Sequence, residues 1–122
     1  HDFEFQKKAG KTGFEILLKE TDENLVDFEL DLYWVVFSGN DPFKLFKENP
    51  GRFKIWHVKD MDKINRSLNT EVGSGTLDFK AIFKEAKLSG MQHFFVEQEN
   101  NFALNSFESV KTSCDFISKN II

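Results

Sequence analysis

One cysteine, Cys114, stands in 122 residues. That excludes an internal disulfide and a zinc site built from several cysteines. Only two prolines occur, and no Pro-rich or low-complexity stretch divides the chain. No apolar run approaches the ~20 residues of a membrane-spanning helix. Lys and Arg total 16 against 20 Asp and Glu, a net charge of −4, with no basic cluster. Nucleic acid and anionic membrane are therefore poor partners. Tyrosine occurs once, beside 15 phenylalanines. The chain opens at His1 with neither Met nor a signal-like segment. This opening reads as a cut, so the compartment, cytoplasmic or periplasmic, is not legible from it. The length suits one domain with a core and is too short for two.

Strand and helix patterns alternate. His1 to Phe5 suggests a strand end, and Lys7 to Gly13 a turn. Phe14, Leu17 and Leu18 fall at helical spacing. Val26-Asp27-Phe28-Glu29-Leu30-Asp31 alternates apolar and acidic residues, the period of a strand with two unlike faces. Leu32 to Gly39 suggests a loop, and Asn40-Asp41-Pro42 a helix start. Residues 53–58, FKIWHV, form a second strand candidate. A polar loop runs from Lys59 to Gly75. A helix from Asp78 to Ser89 ends at Gly90, and His93 to Glu97 is a third strand. Asn105 with Glu108 caps a last helix whose apolar stripe is Phe107, Val110, Cys114, Ile117 and Ile121. Cys114 on that stripe reads as packing. This alternation predicts an α/β fold with parallel strands, either an open doubly wound sheet or an arc of a (β/α)8 barrel.

Three strands end on groups that bind metals: Asp31, His57 and Glu97. Ligands gather at the carboxyl ends of parallel strands. Asp, His and Glu are hard-to-borderline donors suited to Mn, Mg, Co, Zn or Fe. Strand parity puts Glu29 with Asp31, Ile55 with His57, and Phe95 with Glu97 on common faces. A bland reading stands beside this one. A lone strand-end carboxylate is commonly a helix cap, and a lone His a hydrogen-bonded structural residue.

The words around these residues are specific as a set. Residues 29–34 (ELDLYW), 57–61 (HVKDM), 72–75 (VGSG) with Asp78-Phe79, and 95–98 (FVEQ) occur in order. The key positions lie 26 residues apart from Asp31 to His57 and 40 from His57 to Glu97. Together they resemble the C-terminal half of the sugar-phosphate isomerase/epimerase family, the xylose-isomerase-like TIM barrels, over essentially the whole chain. The opening His1-Asp2-Phe3-Glu4-Phe5 resembles the tail of that family's motif after strand five. The resemblance implies strands 5–8 of a (β/α)8 barrel, with residues 1–122 as one fragment. It implies Asp31, His57 and Glu97 as ligands of a divalent ion, Mn, Mg, Co or Zn. The family's fourth ligand falls just before His1, or at His1 itself. Many relatives carry Glu there, whereas the His-rich form of the motif puts a two-glutamate mechanism in doubt.

The implied reaction is isomerisation or epimerisation of a sugar or sugar phosphate. Glu97 would take the proton next to a carbonyl, giving an ene-diolate. Asp60 and Lys63 are placed to bind sugar hydroxyls or a phosphate, and a solvated loop is the bland alternative. Trp34 offers an apolar wall for a sugar ring or packs under its loop. Lys59, beside the ligand, is expected to point away. Gly73-Ser74-Gly75 offers N–H groups to an anion or makes a tight turn. A keto-sugar dehydratase or lyase of the same fold, sharing the His-x-Lys-Asp word, is the competing reading. A non-catalytic carbohydrate-binding fragment is another, and a nuclease on this fold conflicts with the charge. A half-barrel would expose sheet edges and an apolar face, so a homo-oligomer or association with an N-terminal half is expected.

Overall fold

A computed structural model describes residues 1–122. The chain enters through a 3-10 turn, Asp2–Phe5, rather than a strand end. A ribbon follows, β1 (Lys7–Lys8) and β2 (Lys11–Thr12), antiparallel and reversed through Ala9 and Gly10, both at positive φ. Helix α1, Gly13–Glu20, starts on a reciprocal cap. The Thr12 hydroxyl accepts from the Glu15 N–H at 3.0 Å, and the Glu15 carboxylate accepts from the Thr12 N–H at 2.8 Å.

Strand β3 is Glu29–Asp31, shorter than its alternating pattern suggests. Helix α2, Leu32–Phe37, then replaces the loop the sequence suggests. Apart from Leu32 its residues are β-branched or aromatic, with weak helix propensity. Burial decides the matter, because Leu32, Tyr33 and Val35 are all buried. Helix α3, Pro42–Glu48, begins on Asp41, whose carboxylate accepts from the Phe43 N–H at 2.9 Å.

Strand β4 is Ile55–Val58. The following loop carries a small antiparallel pair, β5 (Asp60–Met61) and β6 (Asn69–Thr70). The next helix is broken at Glu85 into α4, Phe79–Lys84, and α5, Ala86–Ser89. Gly90 ends it in the left-handed conformation at φ 83°. A Cβ there would come within 2.7 Å of the Gly51 Cα, so both backbone and space require glycine. Strand β7 is His93–Val96, and α6, Ser106–Asn120, closes the chain behind its Asn105 cap.

The central sheet is parallel, in the order β3-β4-β7. Its register pairs Asp31 with His57 and Val58 with Val96, so the three carboxyl ends lie along one edge. Leu30, Trp56 and Val58 are buried, with Phe94 and Val96 packed against the same core. That face carries a chain of aromatic rings. Phe5, Phe14, Phe53, Phe46, Trp56, Phe83 and Phe94 follow one another at centroid spacings of 4.8 to 6.1 Å. Much of the phenylalanine surplus is spent here. The Trp56 indole N–H donates to the Ser89 hydroxyl at 2.9 Å, which donates on to the Phe53 carbonyl at 3.1 Å. The opposite sheet face is open, and Phe95 on it is 57% exposed.

Helix α6 buries only the C-terminal part of the stripe that its sequence offers, Ile117 with Ile121 packed against the core. Phe107, Val110 and Cys114 are exposed, while Ser109, Ser113 and Ile117 are buried. The serines are held by hydrogen bonds that hydrophobic periodicity does not register. The Ser113 hydroxyl accepts from the Val72 N–H at 2.9 Å, and the Ser109 hydroxyl donates to Glu71. Burial alone would raise the Glu71 carboxyl. Hydrogen bonds from Ser109, from the Ala103 N–H and from Thr70 instead bring it to about 2. No helix is long and apolar enough to cross a membrane.

Candidate metal and sugar site

Asp31 ends β3, and its two oxygens have separate roles. Oδ1 accepts from the Trp34 N–H at 3.0 Å and caps α2. Oδ2 turns to the sheet edge, 3.5 Å from His57 Nδ1 and 3.5 Å from Lys59 Nζ. The helix cap and the place at the sheet edge are therefore held by different atoms of one side chain. Burial raises the Asp31 carboxyl, opposed by the Trp34 hydrogen bond and the charges of Lys59 and His57.

His57, inside β4, stands next to Asp31 by strand register. Glu97 lies one residue past β7, and its N–H continues the ladder by donating to the Val58 carbonyl at 3.2 Å. Glu97 Oε2 is 3.1 Å from His57 Nδ1. One ligand atom from each of Asp31, His57 and Glu97 lies within 4.8 Å of the others. Glu29, two residues before Asp31 on the same face, reaches His57 Nε2 at 3.0 Å. It fixes the ring and leaves Nδ1 aimed at the two carboxylates, as partners outside a metal's ligand shell commonly do. Two carboxylate oxygens and one imidazole nitrogen suit a divalent ion of borderline or hard character.

Lys59 is a correction to the sequence reading. It points into the site and its side chain is 1% exposed. Its ammonium lies 2.9 Å from Glu99 Oε1, 3.1 Å from Glu97 Oε2 and 3.5 Å from Asp31 Oδ2. The Tyr33 and Trp34 rings flank it at 5.7 Å each. Burial would lower its pKa, but the Glu99 hydrogen bond, Asp31 and Glu97 together raise it. The physical reason is simple parity: residues 57 and 59 are two apart and share a face.

The same parity sends Asp60 the other way, and it is no substrate ligand in this structure. Asp60 is fully buried. Its Oδ2 accepts from the Gly73 and Gly75 N–H groups at 2.9 and 3.0 Å. Its Oδ1 accepts from Met61 and Leu77 at 2.8 and 3.1 Å. The anion held by the glycine loop is thus the protein's own carboxylate. A Cβ at Gly75 would lie 2.3 Å from Asp60 Oδ1, so that loop cannot carry a side chain there. Lys63 is exposed in the turn between β5 and β6 and is not among the residues lining the cleft.

Trp34 and His1 do line that cleft, a space of about 240 Å³ in front of Asp31, His57 and Glu97. Their rings lie 5.4 Å apart, and Trp34 Nε1 is buried without a hydrogen-bond partner. His1 stays outside the three-ligand cluster. A larger cleft of about 690 Å³ lies between α1 and α3 and contains none of these donors.

A parallel α/β sheet that gathers such donors at its strand ends is laid out like an enzyme of the barrel or doubly wound class. No protein-family profile matches the chain. Its sequence is 28% identical over 110 residues to an inosose dehydratase of Geobacillus thermodenitrificans, covering 75% of this chain and 37% of that protein. It is 32% identical over 106 residues to an inosose dehydratase of Clostridium botulinum, covering 71% and 36%. Among solved structures, a sugar phosphate isomerase/epimerase from Parabacteroides distasonis superposes with a TM-score of 0.81 at 34% identity. That match covers 96% of this chain and 42% of the other. The chain therefore spans well under half the length of the relatives it matches. Its structural neighbours are sugar phosphate isomerase/epimerases of xylose-isomerase-like fold, and the inosose dehydratases it resembles in sequence fall in the same superfamily.

Proposed function

We propose that this chain carries the catalytic edge of a sugar-processing isomerase or epimerase that works with one divalent ion. The observation that carries the reading is the convergence of Asp31, His57 and Glu97 within 4.8 Å at three adjacent strand ends. Those three residues would hold the ion. When bound, it supplies a positive charge that polarises a carbonyl and stabilises negative charge on oxygen. Glu97 takes the proton from the carbon beside that carbonyl; isomerisation returns it to the neighbouring carbon while a hydroxyl proton passes between the two oxygens, and epimerisation returns a solvent proton to the same carbon from the opposite face. Its Oε2 is engaged by His57 and Lys59, which leaves Oε1 for the proton. Positioned bases of this kind contribute ~10²–10⁴-fold. Trp34 and His1 form one wall of the space in which a sugar or sugar phosphate would lie.

Residues 1–122 would supply strands 6–8 of a (β/α)8 barrel, the expected end of strand 5 at His1–Phe5 being a 3-10 turn instead. The exposed sheet face bearing Phe95 supports this, because an interior lining left open needs further strands, or a second copy, to cover it. Elimination of water is the second reading, favoured by the inosose dehydratase relatives. It shares the first proton removal and differs in expelling a hydroxyl from the adjacent carbon. Incubation of the metal-stripped and Mn²⁺-restored full chain with ketoses, inososes and sugar phosphates in D₂O separates the two. NMR shows deuterium at the α-carbon with an isomer or epimer in one case, and an unsaturated or deoxy product in the other. Absence of exchange with every substrate, with Mn²⁺ present, overturns both and leaves the carbohydrate-binding alternative.

A further inference from the structure

Lys59 has no assignment in the proton transfer. A lysine whose ammonium is shielded from water and surrounded by carboxylates needs a reason to be there, since desolvating it is costly. Its surroundings supply one. Asp31 Oδ2 and Glu97 Oε2 each face two places: the one beside His57 Nδ1, at 3.5 and 3.1 Å, where the ion would sit, and the Lys59 ammonium, with Nζ at 3.5 and 3.1 Å. Glu99 completes the second position at 2.9 Å. Two carboxylates shared between neighbouring cation positions is the arrangement of a two-metal site. Here one position is filled by the protein itself.

We propose that the Lys59 ammonium is a built-in cation, occupying the place among Asp31, Glu97 and Glu99 that a second metal ion would take and so limiting the cluster to one divalent ion. This rests on the three-ligand reading above. The charges agree with it. The three carboxylates around Lys59, those of Asp31, Glu97 and Glu99, bring three negative charges, which one lysine and one divalent ion neutralise, while Glu29 lies apart on His57 Nε2. Without the lysine, one divalent ion leaves a negative charge uncompensated, and the vacated space has three carboxylates around it. Lys59 is thus a positioning residue. It holds one oxygen of each carboxylate toward His57 without touching the substrate.

The test is a titration of the full chain with Mn²⁺ alone, read by calorimetry and by the spin resonance signal of the ion. The wild-type chain is expected to saturate at one ion. Lys59→Ser should take two ions, with the spin signal broadened by their coupling. Lys59→Gln, which keeps more of the stem if Ser fails to fold, should take the second ion more weakly. Lys59→Arg should restore a single ion. Two ions in the wild-type chain, or one ion in folded Ser and Gln variants, overturns the proposal. No ion in the wild-type chain overturns the three-ligand reading itself.

Discussion

Asp31 offers a test in which fold and function are separated within one side chain. Oδ1 caps α2 at 3.0 Å, while Oδ2 faces His57 and Lys59. Replacing Asp31 with Ser keeps a short oxygen that can accept from the Trp34 N–H but removes the ligand. Replacing it with Ala removes both. The two variants deprive Lys59 and His57 of the same partner, so that cost cancels in the comparison. What remains is the cap, worth ~1 kcal/mol with a range of about 0.5–2. For a chain of this size that is a few degrees in Tm, roughly 3–6 °C. Urea and thermal melts of the metal-free full chain measure it, and Mn²⁺ calorimetry measures the ligand. Asp31→Ser should melt above Asp31→Ala by that margin, and both should lose Mn²⁺ affinity at least 100-fold. Equal melting, or Mn²⁺ affinity kept by Asp31→Ser, would refute the division between the two oxygens.

Asp60→Asn turns an acceptor that holds two backbone N–H groups into a donor. With ~1–3 kcal/mol for each orphaned group, urea melts should show a loss of about 2–6 kcal/mol; under about 0.5 would contradict the clasp. Glu71 is nearly buried and its carboxyl is lowered from 4.5 to about 2. A lowered carboxyl stabilises the fold above pH 4.5, and that stability is lost as pH falls toward 2. At 1.36 kcal/mol per pH unit the amount is about 3 kcal/mol. The stability gap between wild type and Glu71→Gln should shrink across this window; a gap that stays flat would count against the charge-assisted network. Mn²⁺ at 100 times its dissociation constant should add about 2.7 kcal/mol to the unfolding free energy of the wild-type chain. Asp31→Ala should show no such gain.

The parallel α/β character is legible in the alternation of strand and helix patterns, and the register brings Asp31, His57 and Glu97 together at the carboxyl edge of the sheet. The same two-residue period contained more than was drawn from it. Glu29 with Asp31, His57 with Lys59, and Glu97 with Glu99 are three pairs at that spacing, and all six converge. Lys59 follows the two-residue period of His57, which outweighs its distance from the strand end. Helix α2 was not legible, since its propensity is poor and its stability comes from burying Leu32, Tyr33 and Val35. The inner face of α6 escaped for a related reason. Hydrophobic periodicity sees Val110 and Cys114, whereas the structure turns inward Ser109 and Ser113, whose partners on Glu71 and Val72 lie about 40 residues away in sequence.

The clasp of Asp60 on Gly73 and Gly75 also bears on how a ligand would meet this protein. A glycine loop left empty must be ordered by its guest, and that ordering is subtracted from the affinity. Here the disorder of the loop is removed during folding, by a carboxylate already attached to the chain. The N–H groups of Gly73 and Gly75 are then already paired, with that of Ser74 on the Glu71 carbonyl, and the loop keeps no such donor for an anionic guest.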